Sequence, residues 1–301
     1  MRILTLLTVL AGLMLPAAPL LSQQTPFLNH YGWNPRLFNP ASQGGVNGGE
    51  IALAYRNQFT QLEASVRPSS YLLHVDASAF LPERIGFAVQ LLGDKAHLLN
   101  RFQLSGFFGY HLIQSNRIRL SLGAAVGYLN QNFDFDGVRV SNIQDLDIFD
   151  NRLNTGRFDG GPGLAFEYRL DNGSFFALDA AASQLFSSDI TIRKSSATNA
   201  NGVVYDMIPH LLANGRFRFQ AGGFALEPNV IFRALSGDRP LKAGVFDFNL
   251  NAYFLKNNRL MVGAGTRTGT GGFHLQVGVA PTVDTRINFS GELHPALGTT
   301  F

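Results

Sequence analysis

From residue 50 onward, apolar and polar side chains alternate with a period of two. The alternation comes in segments of about ten residues, the length a tilted strand needs to cross a bilayer. The clearest segment sets Phe246, Phe248, Leu250, Ala252 and Phe254 against Asp247, Asn249 and Asn251. Another sets Ile118, Leu120, Leu122, Ala124 and Val126 against Arg119, Ser121 and Gly123. Ile85, Phe87, Val89 and Leu91 form a third; Phe273, Leu275, Val277 and Val279, opposed by His274 and Gln276, form a fourth. The pattern predicts strands over 50–57, 69–80, 85–93, 101–112, 117–131, 159–169, 174–185, 207–219, 223–235, 244–255, 259–267, 272–281, 285–293 and 294–301. That is an even number, about 14, as in bacterial outer-membrane barrels. Strands near Pro209 and Pro228 are expected to place those prolines at ends or beside bulges.

The connections alternate in length. Leu81–Arg84, Gln114–Arg117, Leu170–Gly173, Gln220–Gly223, Lys256–Arg259 and Pro281–Asp284 read as tight turns, while Asn132–Phe158 and Phe186–Tyr205 read as long loops. Short turns at one end and long loops at the other are the asymmetry of a membrane β-barrel with its turns in the periplasm. Asp171-Asn172-Gly173 and Lys256-Asn257-Asn258 have hairpin chemistry.

Composition strengthens this reading. Charged residues are 15 % of the chain, below the roughly 25 % usual in soluble proteins. Mean hydropathy is nonetheless only +0.05, and no apolar run after the N-terminus approaches the roughly 18 residues of a spanning helix. Arg2, the apolar run Ile3–Leu15 and the small-residue stretch Pro16–Ser22 read as a signal peptide over 1–22, so that export to the outer membrane is expected. Cysteine is absent, which excludes disulfides and thiolate metal sites. A net charge of +3 with no basic run argues against nucleic acid as a partner.

Residues 23–49 do not alternate. Asn34-Pro35 and Asn39-Pro40 impose turns, and Tyr31, Trp33, Leu37 and Phe38 need burial, so the segment is expected to plug the barrel of residues 50–301 or seal its periplasmic mouth. The run from Phe27 through Asn34-Pro35 to Asn39-Pro40-Ala41 and Gly44, followed by Tyr55-Arg56-Asn57-Gln58-Phe59, resembles the opening signature of the PorP/SprF family. These are outer-membrane barrels of the Bacteroidetes type IX secretion and gliding machinery. The resemblance continues through Ile85-Gly86, Gly93-Asp94, Leu120-Ser121-Leu122-Gly123, the Gly161–Tyr168 strand and Val262-Gly263. Two departures are Phe59 where the family usually has Trp, and Glu292-Leu293-His294-Pro295 where Gly-x-His-Glu is expected.

The resemblance implies a non-enzymatic barrel that helps export a cognate secreted surface protein, often an adhesin, or retains it at the cell surface. It also implies contact with type IX components such as periplasmic ring lipoproteins. Tyr31, Trp33, Asn34, Pro35, Asn39, Pro40, Arg56 and Gln58 are the candidate partner-binding residues. Arg119, Asp179, Glu227, Arg233 and Asp247 are the candidate lumen-lining charges, which either hold a filled interior together or line a solute channel.

Catalysis finds little support. The seven histidines are scattered, and neither Gly-x-Ser-x-Gly nor His-Glu-x-x-His occurs. His74, Asp76 and Ser78 are the nearest imitation of a lipid hydrolase site on the outer wall. Asp134, Asp136, Asp145, Asp147, Asp150 and Asp159 lack EF-hand spacing and read as a solvated loop. No cofactor or metal is expected. The long loops, including Arg193 and Lys194, are the other expected partner surface.

Overall fold

The structure is a computed structural model that describes residues 28–44, 49–63, 67–134, 152–186, 190–191, 204–205, 208–235, 244–255, 258–268, 272–282, 284–294 and 298–300. The expected signal peptide, the terminal Phe301, the centres of the two long loops and Pro295 lie outside these residues. In chain order the strands are β1 (Glu50–Asn57), β2 (Ser69–Asp76), β3 (Ile85–Ala96), β4 (Leu99–Gln114), β5 (Ile118–Asp134), β6 (Arg152–Arg169), β7 (Phe175–Ser183), β8 (Ile190–Thr191), β9 (Val204–Tyr205), β10 (His210–Ala221), β11 (Phe224–Leu235), β12 (Val245–Phe254), β13 (Leu260–Arg267), β14 (Phe273–Val279), β15 (Ile287–His294) and β16 (Gly298–Thr300). Fourteen of them form one antiparallel sheet in sequence order, and β8 and β9 pair separately as a small hairpin between β7 and β10.

Burial is inverted relative to a soluble protein. Ile51, Leu53 and Phe289 are 74 %, 78 % and 68 % exposed, whereas His74, Glu227 and Gln276 on the opposite face are buried. Aromatic rings pair across strands on the outer face, Phe87 with Phe108 at 5.1 Å and Phe232 with Phe246 at 4.8 Å between centroids. An apolar outer face suits hydrocarbon, and the inward polar groups find partners in one another. The sheet curls: Arg56 in β1 forms an ion pair with Glu292 in β15 at 3.8 Å, which brings the two ends of the strand order together.

Several boundaries differ from the sequence pattern for local reasons. β2 stops at Asp76, not residue 80, because the Asp76 carboxylate accepts from the Ser78 amide at 2.9 Å and turns the chain into a 3-10 helix over Ser78–Phe80. β5 and β6 run on to Asp134 and back to Arg152, well into the stretch read as loop. Asp159 is therefore a buried strand residue that accepts from the Gly160 amide at 2.6 Å, not part of a solvated acidic loop. The alternation fades there because Asn, Gln, Gly and Thr replace the apolar residues, while backbone pairing continues. Pro209 precedes β10 as expected, but Pro228 sits inside β11. The pairing with β10 lapses opposite Pro228, between Arg216↔Asn229 and Phe219↔Leu226, and resumes in the same register. Having no N–H, the proline costs ladder bonds without requiring a bulge. His294 closes β15 rather than opening β16.

Candidate functional site: the occupied barrel interior

Residues 28–44 contain no strand. Each Asn-Pro step opens a 3-10 turn, over Pro35–Leu37 and Pro40–Ser42, after a first turn over Asn29–Gly32. Asn34 Oδ1 accepts from the Arg36 amide at 3.2 Å, and Asn39 Oδ1 from the Ala41 amide at 3.0 Å. Asparagine caps the turn, and proline in first position gives up no hydrogen bond.

This segment lies on the inner face of the sheet and touches strands from one end of the order almost to the other. Arg36 pairs with Glu50 of β1 at 3.1 Å, and the Gly44 amide donates to Asp76 of β2 at 2.8 Å. Gln90 of β3 donates to the Leu37 carbonyl at 2.8 Å, and Asn39 donates to the Leu164 carbonyl of β6 at 2.9 Å. Ser42 donates to Asp179 of β7 at 2.6 Å, and Asn214 of β10 donates to the Gly32 carbonyl at 3.0 Å. Arg267 of β13 reaches Asn29 Oδ1 at 3.1 Å. Leu28, Tyr31 and Leu37 meanwhile pack against Leu72, Leu92 and Ile231 of the wall, an apolar layer inside a polar barrel.

A strip of glycines receives the turn at Pro40. Gly86, Gly109, Gly123 and Gly163 are direct cross-strand partners in β3, β4, β5 and β6. A methyl group on Gly123 would overlap the Ala41 backbone, one on Gly163 the side chains of Asn39 and Pro40, and one on Gly86 the Gln43 carbonyl. The plug backbone rests where the wall has no side chains.

The interior charges form two groups. Toward the long-loop end, Arg267 bonds Asp247 at 2.5 Å and Glu292 at 2.6 Å; Arg233 joins Asp247 at 3.3 Å, and Arg56 joins Glu292. Toward the short-turn end, Arg119 pairs with Glu167 at 3.3 Å, Arg216 with Asp179 at 3.5 Å and Arg218 with Glu227 at 2.7 Å. All five expected lumen charges, Arg119, Asp179, Glu227, Arg233 and Asp247, thus face inward in ion pairs. In the plug, burial lowers the His30 pKa to about 4 and pushes the Tyr31 phenol up to about 12.

Of the eight expected partner residues, Tyr31, Asn34, Pro35, Asn39, Pro40 and Arg56 are buried, and their contacts are with the barrel itself; Trp33 and Gln58 keep partial exposure. The Gln58 carboxamide, turned with its oxygen toward the guanidinium, accepts from Arg56 at 2.8 Å. His74 faces inward, fully buried, with Nε2 3.1 Å from Gln43 Oε1, so the His74, Asp76 and Ser78 group does not stand on the outer wall. Sequence reasoning missed Gln90, Asn214, Arg216 and Arg267 as plug contacts. Their only signal was a polar side chain on the inward face of a strand, which every wall strand shares.

The sequence profile of the family described as type IX secretion system membrane protein PorP/SprF matches residues 20–292. No curated protein matches the chain. Among solved structures, the CymD monoaromatic hydrocarbon channel is similar with a TM-score of 0.50 and 10 % identity, over 87 % of this chain and 88 % of that one. A Pseudomonas aeruginosa FadL homologue has a TM-score of 0.49 at 8 % identity, over 89 % of each chain. At such identity the CymD likeness speaks for the outer-membrane barrel fold alone. The family match spans nearly the whole barrel and the plug, and the chain belongs to the PorP/SprF family of type IX secretion system membrane proteins.

Proposed function

We propose that this barrel, exported by its N-terminal signal peptide and inserted with its short turns in the periplasm, assists the export or surface retention of a cognate secreted protein. The observation that carries this reading is the occupied interior: the plug is bonded to strands around the sheet and sealed by an apolar layer. A passive diffusion channel needs a continuous aqueous path, and this arrangement opposes one. Family membership supplies the secretion context. A secreted surface protein of adhesin type and the periplasmic ring lipoproteins are the partners, met at the long-loop end, where the half-buried Gln58 lies, and at the short-turn mouth, where the half-buried Trp33 lies. Buried plug residues such as Asn39 act by holding the plug in place.

The test is affinity purification of the tagged barrel from outer membranes in mild detergent, with mass identification of what accompanies it. A large secreted protein or ring lipoproteins in stoichiometric yield is the expected result. A barrel that emerges alone and conducts steadily in a planar bilayer sinks the docking reading in favour of the channel.

A further inference from the structure

Beneath the plug, at the short-turn end, lies a cavity of about 830 Å³. Seven arginines line it, Arg36, Arg117, Arg119, Arg169, Arg216, Arg218 and Arg286, with no lysine and only three carboxylates, Glu50, Glu167 and Asp171. Three further carboxylates, Asp76, Asp179 and Glu227, stand outside the lining and grip Arg36, Arg216 and Arg218. The guanidiniums are therefore held in place from the wall side, and each retains donors beyond those pairs. Arg286 pairs with no carboxylate among the described residues. Its guanidinium lies 5.6 Å from the Tyr253 ring centroid and is bonded to the Asn258 carbonyl at 3.4 Å.

The unmet hydrogen-bonding groups around this cavity are all of one kind. Arg216 Nε, Arg119 Nε and the Trp33 indole Nε1 are buried without an acceptor, and no described lining residue has a buried acceptor atom without a partner. The Arg216 side chain is only 10 % exposed. Buried donors without partners are costly, and the side chains that carry them belong to a wall rich in donors and poor in acceptors. We propose that this cavity is a recognition site for a carboxylate-rich peptide segment presented at the short-turn mouth of the barrel.

The geometry favours a peptide over a single phosphate. The arginines are distributed around the mouth, from the turn at Arg117 past β6 and β10 to Arg286 ahead of β15, rather than converging on one point. That distribution suits several carboxylates spaced along a chain, each met by a planar guanidinium fork. Trp33, Pro35, Leu170 and Phe175 supply apolar wall for side chains between the carboxylates. The volume lies within the range of roughly 300–1,000 Å³ that ligand sites occupy. The proposal does not depend on which secreted protein the barrel serves.

Trp33 is the sole tryptophan of the chain and lines the cavity, so its fluorescence reads occupancy directly. The full-length barrel in detergent is titrated with hexaglutamate, hexalysine and inorganic phosphate, following Trp33 emission and, in parallel, heat by calorimetry. Hexaglutamate is expected to bind saturably and to weaken as salt rises, with no saturable response to hexalysine. The double variant Arg117→Gln/Arg286→Gln, whose members lie at the exposed rim, is expected to weaken hexaglutamate by roughly tenfold or more. Unchanged heat-modifiable mobility on electrophoresis shows that the variant barrel still folds. Phosphate binding as tightly as hexaglutamate overturns the peptide proposal in favour of a general anion site. Absence of both heat and emission change with hexaglutamate, or equal affinity in folded variant and parent, overturns it outright.

Discussion

Asp179 shows how single residues hold the plug. Its carboxylate, buried on β7, receives Ser42 at 2.6 Å and Asn39 at 3.3 Å from the plug and Arg216 at 3.5 Å from β10. His30 is the plug residue most sensitive to pH. Its ring lies 5.7 Å from the Trp33 ring, Nε2 is buried without a partner, and burial lowers its pKa from 6.5 to about 4. The neutral ring is thus the one that fits the docked segment. A released segment takes up a proton below about pH 6.5 while the docked one resists until about 4, so docking weakens as pH falls through that window and is unaffected above it. The ceiling on this effect is about 3 kcal/mol, reduced because the ring is only partly shielded from water. Trp33 emission should shift toward that of a solvated indole as pH is lowered from 7 to 4, and His30→Phe should flatten the part of the curve that His30 contributes. A variant curve that superimposes on the parent's would remove His30 from the account.

At the scale of elements, the glycine strip determines where the plug sits. Gly123 is the test position, because a side chain there meets the Ala41 backbone, which cannot rotate aside as a flexible side chain would. Gly123→Val suits a strand intrinsically, so the barrel is expected to assemble while the plug is displaced. Trp33 emission should shift, protease should gain access near Pro40, and a planar bilayer should register conductance absent from the parent. An assembled variant with a silent bilayer and a protected plug would show that the strip is not what seats it. The same strip illustrates a limit of reading elements one at a time. Gly109, Gly123 and Gly163 each look like unremarkable small residues in a strand; only the register across four strands lines them up.

For the molecule as a whole, the charge group at the long-loop end ties the last strands to the first. Glu292 of β15 binds both Arg267 of β13 and Arg56 of β1, and Arg267 also holds Asn29 of the plug. Replacing Glu292 by Ala leaves two guanidiniums in a buried site with one carboxylate partner fewer, a change worth about 3–5 kcal/mol. Glu292→Ala is expected to lower the temperature at which the folded band disappears on semi-native electrophoresis and to loosen the plug as well. Glu292→Gln, which keeps the acceptor oxygen, should lose less. Equal behaviour of the two variants and the parent would show that the seam does not depend on this residue.

The amino-acid order alone sets the strands of the main sheet and their faces, though not the β8–β9 hairpin inside the stretch read as a loop, because a lipid-facing barrel writes its structure locally: each strand must put apolar side chains outward and polar ones inward, whatever its neighbours do. It also determined the turns at Asn34-Pro35 and Asn39-Pro40, whose chemistry acts within three residues. It misplaced the ends of β2, β5 and β6, where Asp76 capped a turn or polar residues continued a strand that backbone pairing alone sustained. Which inward residues touch the plug, how Asp179 serves two elements at once, and how seven arginines gather around one cavity were decided by tertiary structure alone. Many of those contacts join residues more than a hundred positions apart, as Asn39 to Asp179 or Asn29 to Arg267. Their partners follow from strand register and from the curl of the sheet, and a one-dimensional alternation of polar and apolar positions carries neither.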